Sequence, residues 1–279
     1  MSDFASPALS LAAAATWGAA DFSGGVATKR ANPFHVVVVA HATGMVFMLT
    51  LALATQESIP GRNALLWGAI AGLVGGIGLA AFYKALAIGT MGINAPLSAV
   101  ITAIVPLVFS FLTEGLPRAI QIAGFVFALL SIWLIAAPPA GAVRSRGIAL
   151  AVVAGFGFGG FLLFIKLAGT GSVFWPLVAA RSASTLFMLA IMVVSGTGWK
   201  TSRGSLAYMV IAGVLDSGAN ALFVAAAHRG RLDVAAVLSS LYPATTVVLA
   251  RLVLKERLSR LQFAGMAIAF VAVALIAAR

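Results

Sequence analysis

Residues 114–124 read EGLPRAIQIAG, and residues 256–265 read ERLSRLQFAG. One pattern covers both. Glu114, Leu116, Arg118, Gln121, Ala123 and Gly124 form the first copy; Glu256, Leu258, Arg260, Gln262, Ala264 and Gly265 form the second, with one residue fewer between Arg and Gln. Each copy lies in a short polar break just before the last apolar segment of its half. If each half holds five membrane spans, the odd number turns the second copy upside down. Two inverted halves around a midplane site make a transporter architecture, so the repeat bears on function as well as fold.

Composition agrees. Of 279 residues, 62% are hydrophobic and 9% charged, and the mean hydropathy is +1.08. A soluble domain carries about 25% charged residues. Lipid is therefore the expected solvent, and the length allows about ten helices of roughly 20 residues. The net charge of +11 does not signal a nucleic-acid surface, because Lys and Arg are scattered over the short breaks and form no stripe. They anchor helix ends at the phospholipid surface. Cysteine is absent, which excludes disulfides, thiol catalysis and Cys metal sites. The first apolar run, followed by Lys29-Arg30, reads as a span and not as a cleaved signal peptide.

The polar breaks place spans at 8–27, 34–54, 64–87, 93–112 and 119–137, then at 147–168, 174–195, 205–227, 233–253 and 260–278. This is an all-α polytopic membrane protein of ten helices in two inverted five-helix repeats, 1–137 and 147–279. Residues 138–146, with tandem Pro138-Pro139 and the basic Arg144 and Arg146, form the linker. Other positions correspond between halves: Trp17-Gly18 with Phe156-Gly157, His41 with Arg181, Phe82 with Phe223, and Gly89 with Gly230. With both termini inside, inner loops hold six basic residues and outer loops nine, a lean towards outside termini.

The run from Leu241-Tyr242-Pro243 through Lys255-Glu256-Arg257-Leu258 to Gln262 and Gly265 resembles the EamA-type signature, and Trp17-Gly18 resembles the opening of that family's first span. The whole chain looks like the drug/metabolite transporter superfamily and is most like its YddG-type aromatic amino-acid exporters. The resemblance implies alternating access, a central cavity lined from both halves, a bacterial inner membrane and cytoplasmic termini, the last against the charge count. The first half departs from the pattern: Ile101 stands where the second half has Pro243, and its own proline is Pro106.

Charged residues within spans usually face a cavity or a partner. Asp21, among Gly18, Gly24 and Gly25, reads as a cation or proton site or as one side of a structural pair. Lys84 either neutralises a substrate carboxylate or snorkels to the interface. His41 and Arg181 have a shared structural role as one reading. Asp216 and Asn220 either line water or bond helices. The aromatic residues Trp17, Phe22, Tyr83, Phe156, Phe158, Phe161 and Tyr242 lie at depths that suit a cavity for a flat apolar solute, or serve as packing bulk. Trp67, Trp175 and Trp199 read as interfacial belt residues. Candidate hinges are Pro96, Pro106, Gly159, Gly160 and Pro243. The proposed substrate-binding set is Trp17, Asp21, Tyr83, Lys84, Phe158, Asp216, Asn220 and Tyr242.

No phosphate loop, Ser-His-Asp grouping or metal cluster is visible, and the three His residues are far apart, so neither an enzyme nor a cofactor is expected. The partners are a small-molecule substrate and the bilayer, with a monomer as the working unit. The first reading is an exporter of neutral, above all aromatic, amino acids by rocking of the two halves. The alternatives are a drug or other metabolite exporter of the same fold and a channel. Residues 1–137 should superpose on 144–279 after rotation about an axis in the membrane plane; parallel halves, or nine or eleven spans, would refute the repeat.

Overall fold

A computed structural model describes residues 4–88, 91–135, 147–169, 171–196, 203–254 and 259–277. These form α1 (Ala5–Thr28), α2 (Pro33–Ala54), α3 (Arg62–Ile88), α4 (Met91–Thr113), α5 (Ala119–Ile135), α6 (Ile148–Leu167), α7 (Phe174–Val194), α8 (Arg203–Arg229), α9 (Leu232–Ser239), α10 (Tyr242–Leu254) and α11 (Arg260–Ala277). The eleven helices make ten spans, because α9 and α10 are consecutive pieces of the ninth. The ninth span divides at Ser240–Leu241, since Pro243 has no N–H to return to the Ser239 carbonyl. The linker 138–146, Glu256 and Trp199 lie outside the described residues.

The helix ends explain the polar breaks. Asn32 caps α2, accepting from the Phe34 N–H at 2.9 Å, and Pro33 follows at the first helical position. Glu57 caps α7 from another loop. Its carboxylate accepts from the Val173, Phe174 and Trp175 N–H groups at 2.7, 2.9 and 3.2 Å, and from Ser172 Oγ at 2.8 Å. Glu114 does the same for α9, accepting from the Leu232 N–H at 3.3 Å. Arg231 donates to the Glu114 and Gly115 carbonyls at 3.2 and 2.7 Å and pairs with buried Asp233 at 2.8 Å. Hydrogen bonds that Arg231 donates to Asp233 raise the Arg231 pKa above its ordinary value, so the guanidinium stays charged.

These loop contacts fix the orientation of the halves. The loop after the second span meets the loop after the sixth, and the loop after the fourth meets the loop after the eighth. Corresponding loops of the two halves therefore lie on opposite faces of the bilayer, as inversion requires.

The strongest packing runs between halves. Following neighbours gives a closed ring: α1, α8, α2, α7, α3, α6, α4, the α9–α10 span, and back to α1. Halves alternate at every step, while contacts within either half are slight. The fifth and tenth spans, α5 and α11, pack together outside this ring. Neither half has a core of its own; helices of the two halves form one interleaved bundle.

Small residues set the crossings, as expected where lipid supplies no hydrophobic drive between helices. They also display the two-fold relation. Gly72 of α3 meets the Ala180 carbonyl of α7, and Gly213 of α8 meets the Ala40 carbonyl of α2. Gly124 of α5 lies on Ile276, and Gly265 of α11 lies on Ile135; a Cβ would approach the Ile backbone nitrogens to 2.9 and 2.7 Å.

The sequence repeat gains its structural meaning here. Gln121 caps α5 by accepting from the Arg118 N–H at 3.2 Å, and Gln262 caps α11 by accepting from the Ser259 N–H at 2.9 Å. The Gln-to-Gly part of the motif is thus structurally equivalent in both copies. Arg118 and Arg260 are not: the cap geometry pairs Arg118 with Ser259, which removes the gap the sequence match needs.

Gly124→Leu should overpack the α5–α11 crossing and lower stability by about 1–3 kcal/mol. Gly265→Leu should match it within error, because the two sites are related by symmetry. Thermal unfolding of both variants in detergent checks this, and an effect at one site alone would count against equivalence.

Candidate substrate cavity

The ring encloses a cavity with about 620 Å³ of atom-free space, part of it open to solvent. Every ring span contributes to its wall. Trp17 and Asp21 come from α1, His41 from α2, Gly72, Gly75, Gly76 and Leu79 from α3, and Thr102 from α4. Phe158, Phe161 and Leu162 come from α6, Arg181 from α7, Asp216 and Asn220 from α8, and Ser240 and Tyr242 from the broken ninth span.

Asp216 organises the polar part. Its Oδ2 accepts from an Arg181 terminal nitrogen at 2.5 Å, and its Oδ1 accepts from Trp17 Nε1 at 3.1 Å. His41 Nε2 stands 4.0 Å from Asp216 Oδ2, and His41 Nδ1 lies 2.5 Å from Ser184 Oγ. The Arg181 side chain is 6% exposed and that of Asp216 21%, so the pair sits at depth with its carboxylate turned to the cavity. One carboxylate thus joins α7 to α8 by an ion pair and α1 to α8 by a hydrogen bond. Arg181 Nε and Ser240 Oγ have no hydrogen-bond partner among the described residues.

The opposite wall is apolar. Phe158 packs edge-on against Phe82, with ring centroids 5.5 Å apart. Phe161 lies over Gly75. The two-fold relation that equates Gly72 with Gly213 also equates Gly75 with Asp216 and Leu79 with Asn220. It exchanges the α1–α8 side for the α6–α3 side. Symmetry-related walls are therefore chemically opposite: acids and an amide on one, glycine, leucine and phenylalanine on the other.

Six residues of the sequence-derived set line this cavity: Trp17, Asp21, Phe158, Asp216, Asn220 and Tyr242. Two do not. Lys84 is exposed on the outer side of α3. It follows Tyr83 by one residue, and a 100° helical step turns it away from the centre. Tyr83 is buried behind the wall, with its hydroxyl against Gly24 of α1, so it packs helices and does not border the cavity. Phe156 is 60% exposed on the outer face of α6, and Phe22 is buried between helices.

The hinge expectations divide in the same way. At Pro243 the helix divides, whereas α4 runs unbroken through Pro96 and Pro106. Gly159 and Gly160 are close-packed, where a Cβ would meet Val105 and Val74 side chains at 2.6 and 2.9 Å. Thr102 and Ser240 were missed, since a lone hydroxyl in an apolar run carries no directional signal. Arg181 and His41 were legible as intramembrane charges, but their convergence on Asp216 was not.

A ring of alternating inverted repeats around an amphipathic cavity defines a membrane transporter of small solutes. The chain belongs to the EamA-like transporter family, whose sequence model matches residues 6–137 and again residues 145–278. Members of the family are transporters. A search of curated proteins finds no match. Among solved structures, 28 chains resemble this one. One of them, described only as "Crystal structure of protein", has a TM-score of 0.78 at 17% identity, covering 97% of this chain and 95% of its own, which supports the fold.

Arg181→Ala leaves the half-buried Asp216 without its cation, with only the Trp17 hydrogen bond. It should cost on the order of 2 kcal/mol, less than the about 3–5 kcal/mol of a fully buried pair. The double variant Arg181→Met with Asp216→Leu should regain most of that stability in thermal unfolding, yet transport nothing. Recovery of transport in the double variant would assign the pair a purely structural role.

Proposed function

We propose that the chain exports small neutral amino acids, aromatic ones above all, with analogues of similar shape, across the bacterial inner membrane as a monomer. The observation that carries this reading is the chemical opposition of the two cavity walls. A zwitterionic head group suits Asp21, Asp216 and Arg181, whose Nε still lacks a partner. A flat ring suits Phe158, Phe161 and Tyr242, where each ring contact contributes about 0.5–1.5 kcal/mol. The outward direction and the inner membrane follow the resemblance to the YddG-type exporters. A wall to which every ring span of one chain contributes supports a monomer as the working unit.

The broken ninth span supplies a joint for alternating access. Ser240 and Tyr242 line the cavity on either side of the break, so a seated solute touches the joint directly. The Arg231 clasp holds α9 to the loop after α4, and α10 is tied to α1 by Thr246 Oγ1 donating to the Gly18 carbonyl at 3.1 Å. Both pieces rest on α1, α9 through Ser239 Oγ donating to the Ser10 carbonyl at 3.2 Å, and only α9 is also clasped to the loop after α4, so the break lets their mutual angle change.

Counterflow in proteoliposomes tests the reading, with labelled tryptophan, phenylalanine and alanine beside dyes and nucleotide sugars. Tryptophan and phenylalanine should exchange faster than alanine. Phe158→Ala should raise the KM for tryptophan up to about tenfold, the equivalent of one or two ring contacts, and change that for alanine little. Exchange of dyes without amino acids would instead support a drug exporter of the same fold. Current far above carrier turnover would support a channel.

A further inference from the structure

The two-fold relation of the scaffold provides an internal control on the cavity wall. It equates Asn220 of α8 with Leu79 of α3, and both are buried, at 3% and 6% exposure. A crossing of this geometry therefore needs only an aliphatic side chain at that position. Nor does Asn220 bond helices together: its amide makes no hydrogen bond among the described residues, yet it borders the cavity. A buried amide needs a partner, and here the partner has to come from within the cavity.

The position of Asn220 along the bundle identifies that partner. Asn220 is one turn beyond Asp216, about 6 Å along α8. The helices α1 and α8 run in opposite directions and meet where Trp17 donates to Asp216 and packs on Phe223. Asp21 therefore lies on one side of Asp216 and Asn220 on the other. On the Asn220 side stands Phe161, past the middle of α6, a helix that ends at the same face as α8. A head group held by Asp21, Asp216 and Arg181 thus sends its side chain towards Phe161 and Asn220.

We propose that Asn220 determines specificity at the ring end of the cavity: its Oδ1 accepts the indole N–H, so the chain prefers tryptophan and other indoles to hydrocarbon rings. This rests on the aromatic amino-acid reading and keeps the head-group contacts given there. The indole nitrogen of tryptophan stands four bonds from Cα, a span of about 5 Å at roughly 1.5 Å per bond. That span is close to the helical turn separating Asp216 from Asn220. The indole N–H is a donor only, which suits an amide oxygen. A phenyl ring brings no donor. Seated against Asn220, it excludes water from the amide and gives nothing back. A site built to bond a substrate N–H rejects the analogue that lacks it, because the site's own polar group is left stranded.

The test uses the purified chain in proteoliposomes. Labelled phenylalanine counterflow is competed by tryptophan and by benzothienylalanine, which has the same fused ring with sulfur in place of N–H. Tryptophan should bind about tenfold more tightly, the effect of one hydrogen bond to an otherwise stranded amide. This comparison needs no variant, so it decides the matter even if a variant fails to fold. Asn220→Leu installs the side chain of the symmetry-related position, and its melting temperature in detergent checks that the fold is kept. It should weaken tryptophan and tighten benzothienylalanine and phenylalanine, bringing the ratio of the two isosteres to about one. A merely structural role would move all three solutes in the same direction. A wild-type chain indifferent to the N–H, or an Asn220→Leu variant that weakens all three together, overturns the assignment and leaves the aromatic reading standing. So does a preference that survives Asn220→Leu and disappears in Ser240→Ala, since the Ser240 hydroxyl is an unpartnered acceptor on the same wall. Absence of counterflow with any aromatic solute overturns both readings.

Discussion

The whole arrangement depends on helices of one half packing against helices of the other. In lipid, apolar side chains gain nothing by leaving solvent for each other, so close backbone approach and buried polar contacts must hold the bundle. Glycines at the α3–α7, α2–α8 and α5–α11 crossings provide that approach, and each has its counterpart in the other half. Five helices of one orientation cannot make these contacts alone. Interleaved with five of the opposite orientation, they close a ring with room at its centre.

Symmetry governs the scaffold and stops at the wall of the cavity. The crossing that places Gly75 over Phe161 is related to the one that places Asp216 beside Trp17. Backbone geometry is shared while side-chain chemistry is not, and that difference turns a symmetric shell into an oriented site with a polar end and an apolar end. The same divergence explains why the ninth span is broken and the fourth is not. Thr246 on the Gly18 carbonyl matches Thr102 on the Gly155 carbonyl, which sets Pro243 opposite Ala99 and corrects the sequence match to Ile101, and Pro106 lies further along an unbroken helix.

The loops that look least informative hold the two faces together. Glu57 and Glu114 each reach across to a helix N-terminus in the other half, where unsatisfied N–H groups and the positive end of the dipole favour a carboxylate. Arg231 adds a charged clasp to buried Asp233 and two carbonyls. These contacts bridge halves at one membrane face, Glu57 at the start of α7 and Glu114 with Arg231 at the start of α9.

The sequence by itself determined the class, the number of spans and their inversion. Those depend on mean hydropathy, on the spacing of polar breaks and on an odd number of spans between repeat copies, all of which are local or periodic properties. It also exposed Asp21, His41, Arg181 and Asp216, because charge inside an apolar run is costly wherever it occurs. Only the tertiary structure decided which of them meet. Trp17 and Asp216 are 199 residues apart, and their contact depends on how α1 and α8 cross. It also turned Lys84 outward, set Tyr83 behind the wall, and showed that Arg118 matches Ser259 and not Arg260. Rotation about a helix axis and the partner at a crossing are set by packing between distant segments. Hydropathy records that a residue is in a span; the direction in which it points is fixed by its neighbours.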